Sequence, residues 1–115
     1  ANREDETHMA VLIGKFSHNG TNYYFDHSTE SKEPSGAMVL AEYRAYYLKT
    51  HGRLALAKLS ERLERADAKG TSGRMRRDLD DMLKGNRAGE NQRELTTPEL
   101  IDLLLSRRHA AAPVN

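Results

Sequence analysis

Ten residues near the start of the chain, HNGTNYYFDH at positions 18–27, combine residue types that could do chemistry. His18 and His27 are potential metal ligands, because neutral imidazole binds zinc and other transition metals. Asp26, His27 and the following Ser28 are the three residue types of a hydrolytic triad. Whether either chemistry is possible depends on the local fold of this segment.

The same stretch contains Asn19-Gly20 between the apolar and aromatic runs VLIGKF and YYF. Both turn residues tolerate positive φ, so this pattern predicts a β-hairpin over residues 11–27 with a two-residue turn. In that register His18 and His27 are six strand positions apart, about 20 Å at roughly 3.3 Å per residue, too far to share a metal ion.

Neighbouring strand residues point to opposite faces, so Asp26, His27 and Ser28 cannot form a hydrogen-bonded relay. We therefore interpret the stretch as structural. The face predicted to pack on the core comprises Leu12, Phe16, Tyr23 and Phe25. The face predicted to be the wetter one comprises Lys15, Ser17, Asn22, Tyr24 and Asp26.

Beyond a polar loop at 28–35 the apolar spacing becomes helical and predicts four helices. They span about 37–50, 54–68, 73–84 and 97–109. The first helix is expected to end with a cationic last turn, Lys49 and His51, followed by Gly52, which favours a left-handed stop. The third helix is expected to be capped by Thr71 or Ser72, and the fourth by Thr97. Residues 86–95 are expected to form a loop or flexible linker. The predicted fold is a mostly helical α+β domain over residues 1–109, with a frayed tail at 110–115.

Composition excludes several function classes. The chain has no cysteine, so disulfides and thiolate metal sites are excluded, and a reducing cytoplasm, bacterial or phage, is expected. No apolar run approaches the roughly 18 residues of a membrane span, so no membrane partner is expected. No phosphate-binding glycine loop, paired metal-ligand histidines or nucleophile motif occurs. We therefore expect no enzyme activity, no catalytic residues, no metal site and no cofactor.

Charge is unevenly distributed along the chain. Residues 44–87 carry 12 basic and 6 acidic side chains, net +6, whereas residues 1–43 are net −4. A solvated, salt-bridged helix pair is one explanation, and binding of a nucleic-acid backbone is another. On the second reading the nucleic-acid-binding residues are Arg53, Lys58, Lys69, Arg74, Arg76 and Arg77.

The order of elements within this basic part supports the second explanation. LALAKLSERL, a loop and TSGRMRRDLDDML look like a helix-turn-helix, and the segment from Arg76 to Leu79 resembles the recognition helix of winged-helix repressors. This resemblance, over some thirty residues, implies that Arg74, Arg76 and Arg77 face phosphates or base edges. It also implies that Met75, Leu79 and Met82 anchor the helix. The preferred interpretation is a DNA-binding regulator or accessory factor, with duplex DNA as partner.

The last helix is apolar over most of its circumference, with one stripe of Leu100, Leu103 and Leu104 and another of Ile101 and Leu105. It is either the central element of the core or a bridge to a second protein. Leu, Ile, Val and Phe make up only 21 of 115 residues, which favours a homodimer that completes a small core. The expected dimer or partner interface is Leu100, Ile101, Leu104 and Leu105. The alternative function is a protein-protein adaptor or inhibitor that acts through the aromatic hairpin and this helix.

Overall fold

A β-hairpin followed by helices makes up the part of the chain that the structure, a computed structural model, describes: the backbone of residues 11–111 and the side chains of residues 11–108. The strands are β1 (Val11–His18) and β2 (Thr21–Ser28). The helices are α1 (Leu40–His51), α2 (Arg53–Leu56), α3 (Leu59–Lys69), α4 (Leu79–Leu83) and α5 (Thr97–Ala111), with a short turn at Glu90–Gln92 before α5. The predicted α+β class and the order of hairpin and helices are confirmed.

The hairpin has the register that its turn predicts. Asn19 and Gly20 both have positive φ, at 51° and 80°, and His18 pairs with Thr21. Farther along the ladder, Phe16 lies opposite Tyr23 with the two rings stacked at 5.5 Å. Because the side-chain period of a strand is two, this register decides which residues share each face.

Both edges of the two-stranded sheet are covered by short extended segments. On the β1 side, Lys15 N–H donates to Gly70 O and Ser72 N–H donates to Ile13 O, at 3.0 and 2.9 Å. On the β2 side, Tyr24 and Met38 exchange two backbone hydrogen bonds of 2.7 and 2.9 Å. These contacts satisfy outward-facing backbone groups of Ile13, Lys15 and Tyr24 within the chain.

The two faces of the hairpin contact two separate hydrophobic clusters. The first cluster contains Leu12, Phe16, Phe25, Met82, Leu83, Leu95, Leu100 and Leu104; the second contains Ile13, Tyr24, Tyr43, Tyr47, Leu59, Leu63 and Ala66. The prediction that the second face is the wetter one is wrong for Tyr24 and Asp26, which are 3% and 4% exposed. The physical reason is that α1 and α3 cover this face, whereas α4 and α5 cover the other.

The predicted helix 54–68 is divided into α2 and α3. Between them, Ala57 and Lys58 N–H groups bond to the carbonyls three residues earlier, and this tighter turn ends α2. Leu59 and Leu63 are buried in the second cluster with Ile13 of β1, whereas Leu56 is 36% exposed. α3, and not α2, therefore supplies the leucines that pack against this face of the hairpin.

The predicted helix 73–84 is wrong over its first half, because only Leu79–Leu83 is helical. Thr71 and Ser72, the expected caps, are instead fully buried beside β1. The cap is Asp78, whose carboxylate accepts the Asp81 N–H at 2.9 Å. Residues 73–77 therefore belong to a loop and not to a recognition helix.

The segment before α5 is a loop, as predicted, but a tightly organised one. Buried Asn86 donates to the carbonyls of Leu83 and Leu95 and accepts from the N–H groups of Ala88 and Leu95, at 2.9 to 3.2 Å. Its tip turns through Asn91 and Gln92, both with positive φ. Asn86 thereby connects the end of α4 to the chain just before α5.

Helix α5 begins with a capping box one residue earlier than predicted. Thr96 Oγ1 accepts the Glu99 N–H at 3.3 Å, and Glu99 Oε1 accepts the Thr96 N–H at 2.9 Å, so Thr96 and not Thr97 is the cap. The helix continues through Ala111, two residues into the predicted frayed tail; residues 112–115 and 1–10 lie outside the described residues. None of the helices described here is long and apolar enough to cross a bilayer.

Candidate nucleic-acid interface

The arginine loop, Gly73–Arg77, projects from a base that is fixed to β1. Ser72 Oγ accepts the Ile13 N–H at 2.8 Å, and Thr71 Oγ1 accepts the Gly73 N–H at 3.1 Å. A Cβ on Gly73 would lie 2.7 Å from the Arg76 side chain and 3.1 Å from Leu12. Glycine is therefore required where the Arg76 stem packs down on the loop base.

Two cationic side chains of α3 donate hydrogen bonds to backbone carbonyls of the arginine loop and its base. Arg65 Nε donates to Ser72 O at 2.7 Å, and Lys69 Nζ donates to Arg76 O at 2.6 Å. Both side chains are half-buried. Part of the basic excess of residues 44–87 thus stabilises backbone carbonyls, and Lys69, predicted to bind nucleic acid, positions the loop.

The tip of the loop presents Met75, which is 86% exposed. The resemblance to a recognition helix implied that Met75 anchors the segment, and this is wrong because there is no helix to turn it inward. Arg74 and Arg76 are half-buried on either side, and Arg77 is exposed. The loop therefore carries one exposed apolar side chain and one exposed arginine, Arg77, with Arg74 and Arg76 partly buried.

Arg77 is held in place by the cap of α4. Its N–H donates to Asp81 Oδ2 at 2.9 Å, and its guanidinium lies 3.7 Å from Asp81 Oδ1. The Arg77 N–H, followed by the positive charge of Arg77, lowers the pKa of the Asp81 carboxyl. The carboxylates of Asp78 and Asp81 thus both accept backbone N–H groups at the start of α4.

The structure brings together four of the six predicted nucleic-acid-binding residues. Arg74, Arg76 and Arg77 belong to the arginine loop, and Lys69 donates a hydrogen bond to its backbone. Arg53 and Lys58 lie beyond the opposite end of α3, roughly 16 Å away for an 11-residue helix.

Between the two ends, Arg62 is buried: it donates to Tyr47 Oη at 3.0 Å and to Val11 O at 2.6 Å, so it is a structural cation.

A buried polar cluster around Asp26 was not predicted from the sequence. Tyr43 Oη donates to Asp26 Oδ1, and His51 Nε2 lies 2.8 Å from Asp26 Oδ2. Burial, then the charge of Asp26, raises the pKa of both Tyr43 and Tyr46, so both hydroxyls stay protonated donors. The only sequence signal was His51 in the last turn of α1, interpreted as a helix-end charge; its carboxylate partner is 25 residues away.

An aspartate-histidine pair can move protons, but here the carboxylate connects α1 to the hairpin. Its side chain is 5% exposed, and its own backbone N–H is bonded to Ser35 Oγ at 3.0 Å. Among the residues that the structure describes, no group of three or more His, Asp or Glu side chains could hold a metal ion. We therefore assign this cluster to the stability of the fold.

The predicted partner interface on α5 is only partly available. Leu100 and Leu104 are fully buried in the first cluster, so they cannot contact a partner, whereas Ile101 and Leu105 are half-buried. One side of α5 and the loop before it line an open groove of about 650 Å³ that includes Ala88, Leu95 and Leu103. The sequence left open whether this helix is the central element of the core or a bridge to a second protein. Leu100 and Leu104 belong to the core.

Comparison of the chain with protein-family models, with curated proteins and with solved structures finds no match.

Proposed function

We propose that the chain is a non-enzymatic binding protein, a DNA-binding regulator or accessory factor that contacts duplex DNA through the arginine loop. The observation that carries this proposal is the loop tip, where Met75 is 86% exposed between Arg74 and Arg76. Single exposed apolar side chains are common on protein surfaces, so Met75 indicates a partner only together with the arginines of the same loop. The arginines beside it favour a polyanion as that partner.

The geometry supports contact by a rigid loop instead of a recognition helix. Proteins that bind the minor groove combine arginines with an apolar wedge, methionine among them, that inserts between base steps. In this chain the wedge would be Met75, and Arg74, Arg76 and Arg77 would contact phosphates. Anchoring of the loop base to β1 lowers the entropy lost when the loop is ordered on DNA.

A salt series tests the phosphate contacts. We expect duplex binding, followed by fluorescence anisotropy, to weaken with a log-log slope of about −0.9 per phosphate contacted. Replacing Arg74, Arg76 and Arg77 by Gln should reduce both the affinity and the slope. Arg53→Gln is the matched control, since it removes an exposed arginine at the far end of α3 and should change little.

A second variant separates the wedge from the charges. Met75→Ala should weaken duplex binding at every salt concentration but leave the salt slope unchanged, because no phosphate contact is removed. If wild-type protein fails to bind duplex DNA at roughly 50 mM salt, or if the triple Gln variant binds equally well, the proposed function is wrong.

The second candidate function is a protein-protein adaptor or inhibitor, with a homodimer as its simplest form. The half-buried Ile101 and Leu105 of α5 favour it. The hairpin does not, because Phe16, Tyr24 and Phe25 are buried. We expect twice the chain mass by sedimentation at micromolar concentration, reduced to the chain mass by Ile101→Asp with Leu105→Asp. A wild-type monomer would remove the dimer proposal.

The absence of cysteine supports a reducing compartment such as the cytoplasm.

A further inference from the structure

Helix α1 is apolar on two sides. Its inner side carries Tyr43 and Tyr47, both fully buried. The adjoining side, which we call the outer α1 face, consists of Leu40, Ala41, Arg44, Ala45 and Leu48, and all five are exposed. At about 100° per residue these positions fall within one arc of roughly 140°, so they form a continuous surface.

The solvent side of a helix typically carries charged and polar residues, whereas four of the five residues on the outer α1 face are apolar. Leu40 and Leu48 lie two turns apart and are 37% and 43% exposed, and the two alanines between them leave room for a neighbouring backbone. Just after Gly52 the chain adds Leu54, which is 92% exposed. Leu54 is therefore a further exposed apolar residue, in α2, close in sequence to the end of α1.

The charges on this surface are positive. Arg44 lies in the middle of the outer α1 face and Lys49 at its flank, and neither has a carboxylate within 4 Å among the described side chains. Glu42, the acidic residue of α1, is already engaged, because Arg108 of α5 donates to both of its carboxylate oxygens. That contact also lowers the pKa of Glu42.

The position of Arg44 decides between two possible occupants. A second copy of this face, packed in either direction about Arg44, would bring two arginines together in the centre of the interface with Glu42 unavailable to neutralise them. Like charges brought together in an interface disfavour association. A partner that carries carboxylates around an apolar stripe would instead pair with Arg44 and Lys49 while it buries Leu40 and Leu48.

We propose that the outer α1 face is the docking surface for an acidic amphipathic helix of another protein. Such a helix would place apolar residues at three- and four-residue spacing against Leu40, Ala45 and Leu48, and its Asp or Glu side chains beside Arg44. This surface is separate from the arginine loop, so it does not depend on DNA binding.

A displayed library of helical peptides of about 14 residues, or four turns, tests this directly. The library is selected on the whole chain and counter-selected on a Leu40→Glu, Leu48→Glu variant. We expect the enriched peptides to combine an apolar stripe with a net negative charge. Each should lose about tenfold in affinity, or about 1.4 kcal/mol, on Arg44→Glu.

Two matched controls carry the same chemical changes elsewhere on the surface. Arg87→Glu reverses an exposed cation in the loop before α5, and Met75→Glu places a carboxylate at an exposed apolar position. Both variants should bind the peptides like wild type. Circular dichroism melts establish that all variants are folded.

Three results would overturn the proposal. The first is enrichment of basic or uncharged peptides, or of peptides indifferent to Arg44→Glu. The second is that selection yields nothing above the counter-selected variant. The third is sedimentation of the wild type as a dimer that Leu48→Glu dissociates, which would make the face a self-interface.

Discussion

His27 should make the fold sensitive to mild acid. It is 2% exposed, and its Nδ1 has no hydrogen-bond partner in the described structure. Burial, followed by the charges of Lys32 and Arg76, lowers the pKa of His27 from 6.5 to about 4. The folded protein therefore resists protonation at a site that the unfolded chain protonates readily.

The sign of the effect follows from proton linkage. Above pH 6.5 His27 is neutral in both states and contributes no pH dependence. As the pH falls from 6.5 to 4, the unfolded state binds more protons than the folded state, so the free energy of unfolding decreases. A difference of one unit between the pKa of His27 in the unfolded and folded states corresponds to about 1.4 kcal/mol. His27 therefore lowers the free energy of unfolding by about 2 kcal/mol at pH 5 and about 3 kcal/mol at pH 4.

Urea unfolding at pH 7.5, 5 and 4 measures this loss, with the His27→Leu variant as the comparison. The variant keeps a side chain of similar size, removes the unpartnered nitrogen, and should be at least as stable as wild type at pH 7.5. Its total loss on acidification should be smaller by about 3 kcal/mol. His18→Gln, at the exposed hairpin end, should behave as wild type. If wild type and His27→Leu lose equal stability between pH 7.5 and 4, the reasoning about burial is refuted.

Three further predictions concern stability and are checked by thermal or urea unfolding. Asn86→Ala removes four hydrogen bonds and should cost roughly 2 to 4 kcal/mol, whereas Asn22→Ala at the exposed hairpin end should cost little; equal effects would contradict the role of Asn86. Gly14→Ala should cost about 1 to 3 kcal/mol, because its Cβ would lie 2.3 Å from the Phe25 ring; an unchanged melting temperature would contradict this packing. Gln92→Gly should stabilise by up to about 1 kcal/mol by relieving the positive φ of 62°, and a loss of stability would show that the conformation is unstrained.

The parts of the fold that were predictable from sequence depend on local chemistry. The Asn19-Gly20 turn determines the hairpin register without reference to any other segment. The cationic last turn of α1, followed by Gly52 at a φ of 89°, ends that helix where expected. In both cases the responsible residues are adjacent in the chain.

The errors arose where distant segments decide the outcome. Asp26 was assigned to the wetter face of the hairpin. The alternation of side chains along a strand predicts which face Asp26 lies on, but not that a helix covers that face. Thr71 and Ser72 resemble helix caps, but Ser72 Oγ accepts the Ile13 N–H of β1 and Thr71 Oγ1 accepts the Gly73 N–H. The arginine loop was predicted as helix because the contacts that fix it come from other segments of the chain. Its position depends on Lys69, a contact across seven residues that no periodicity signals.

The covering of both faces of the hairpin has a consequence for synthesis on the ribosome. The hairpin can pair as soon as residue 28 has emerged, but a two-stranded ribbon alone is marginal in water. Its first cluster is incomplete until Leu104 has emerged, about 76 residues later. At roughly 5 to 20 residues per second, this leaves aromatic strands without their apolar cover for about 4 to 15 seconds. During that interval the nascent chain would be a substrate for chaperones that bind exposed aromatic segments.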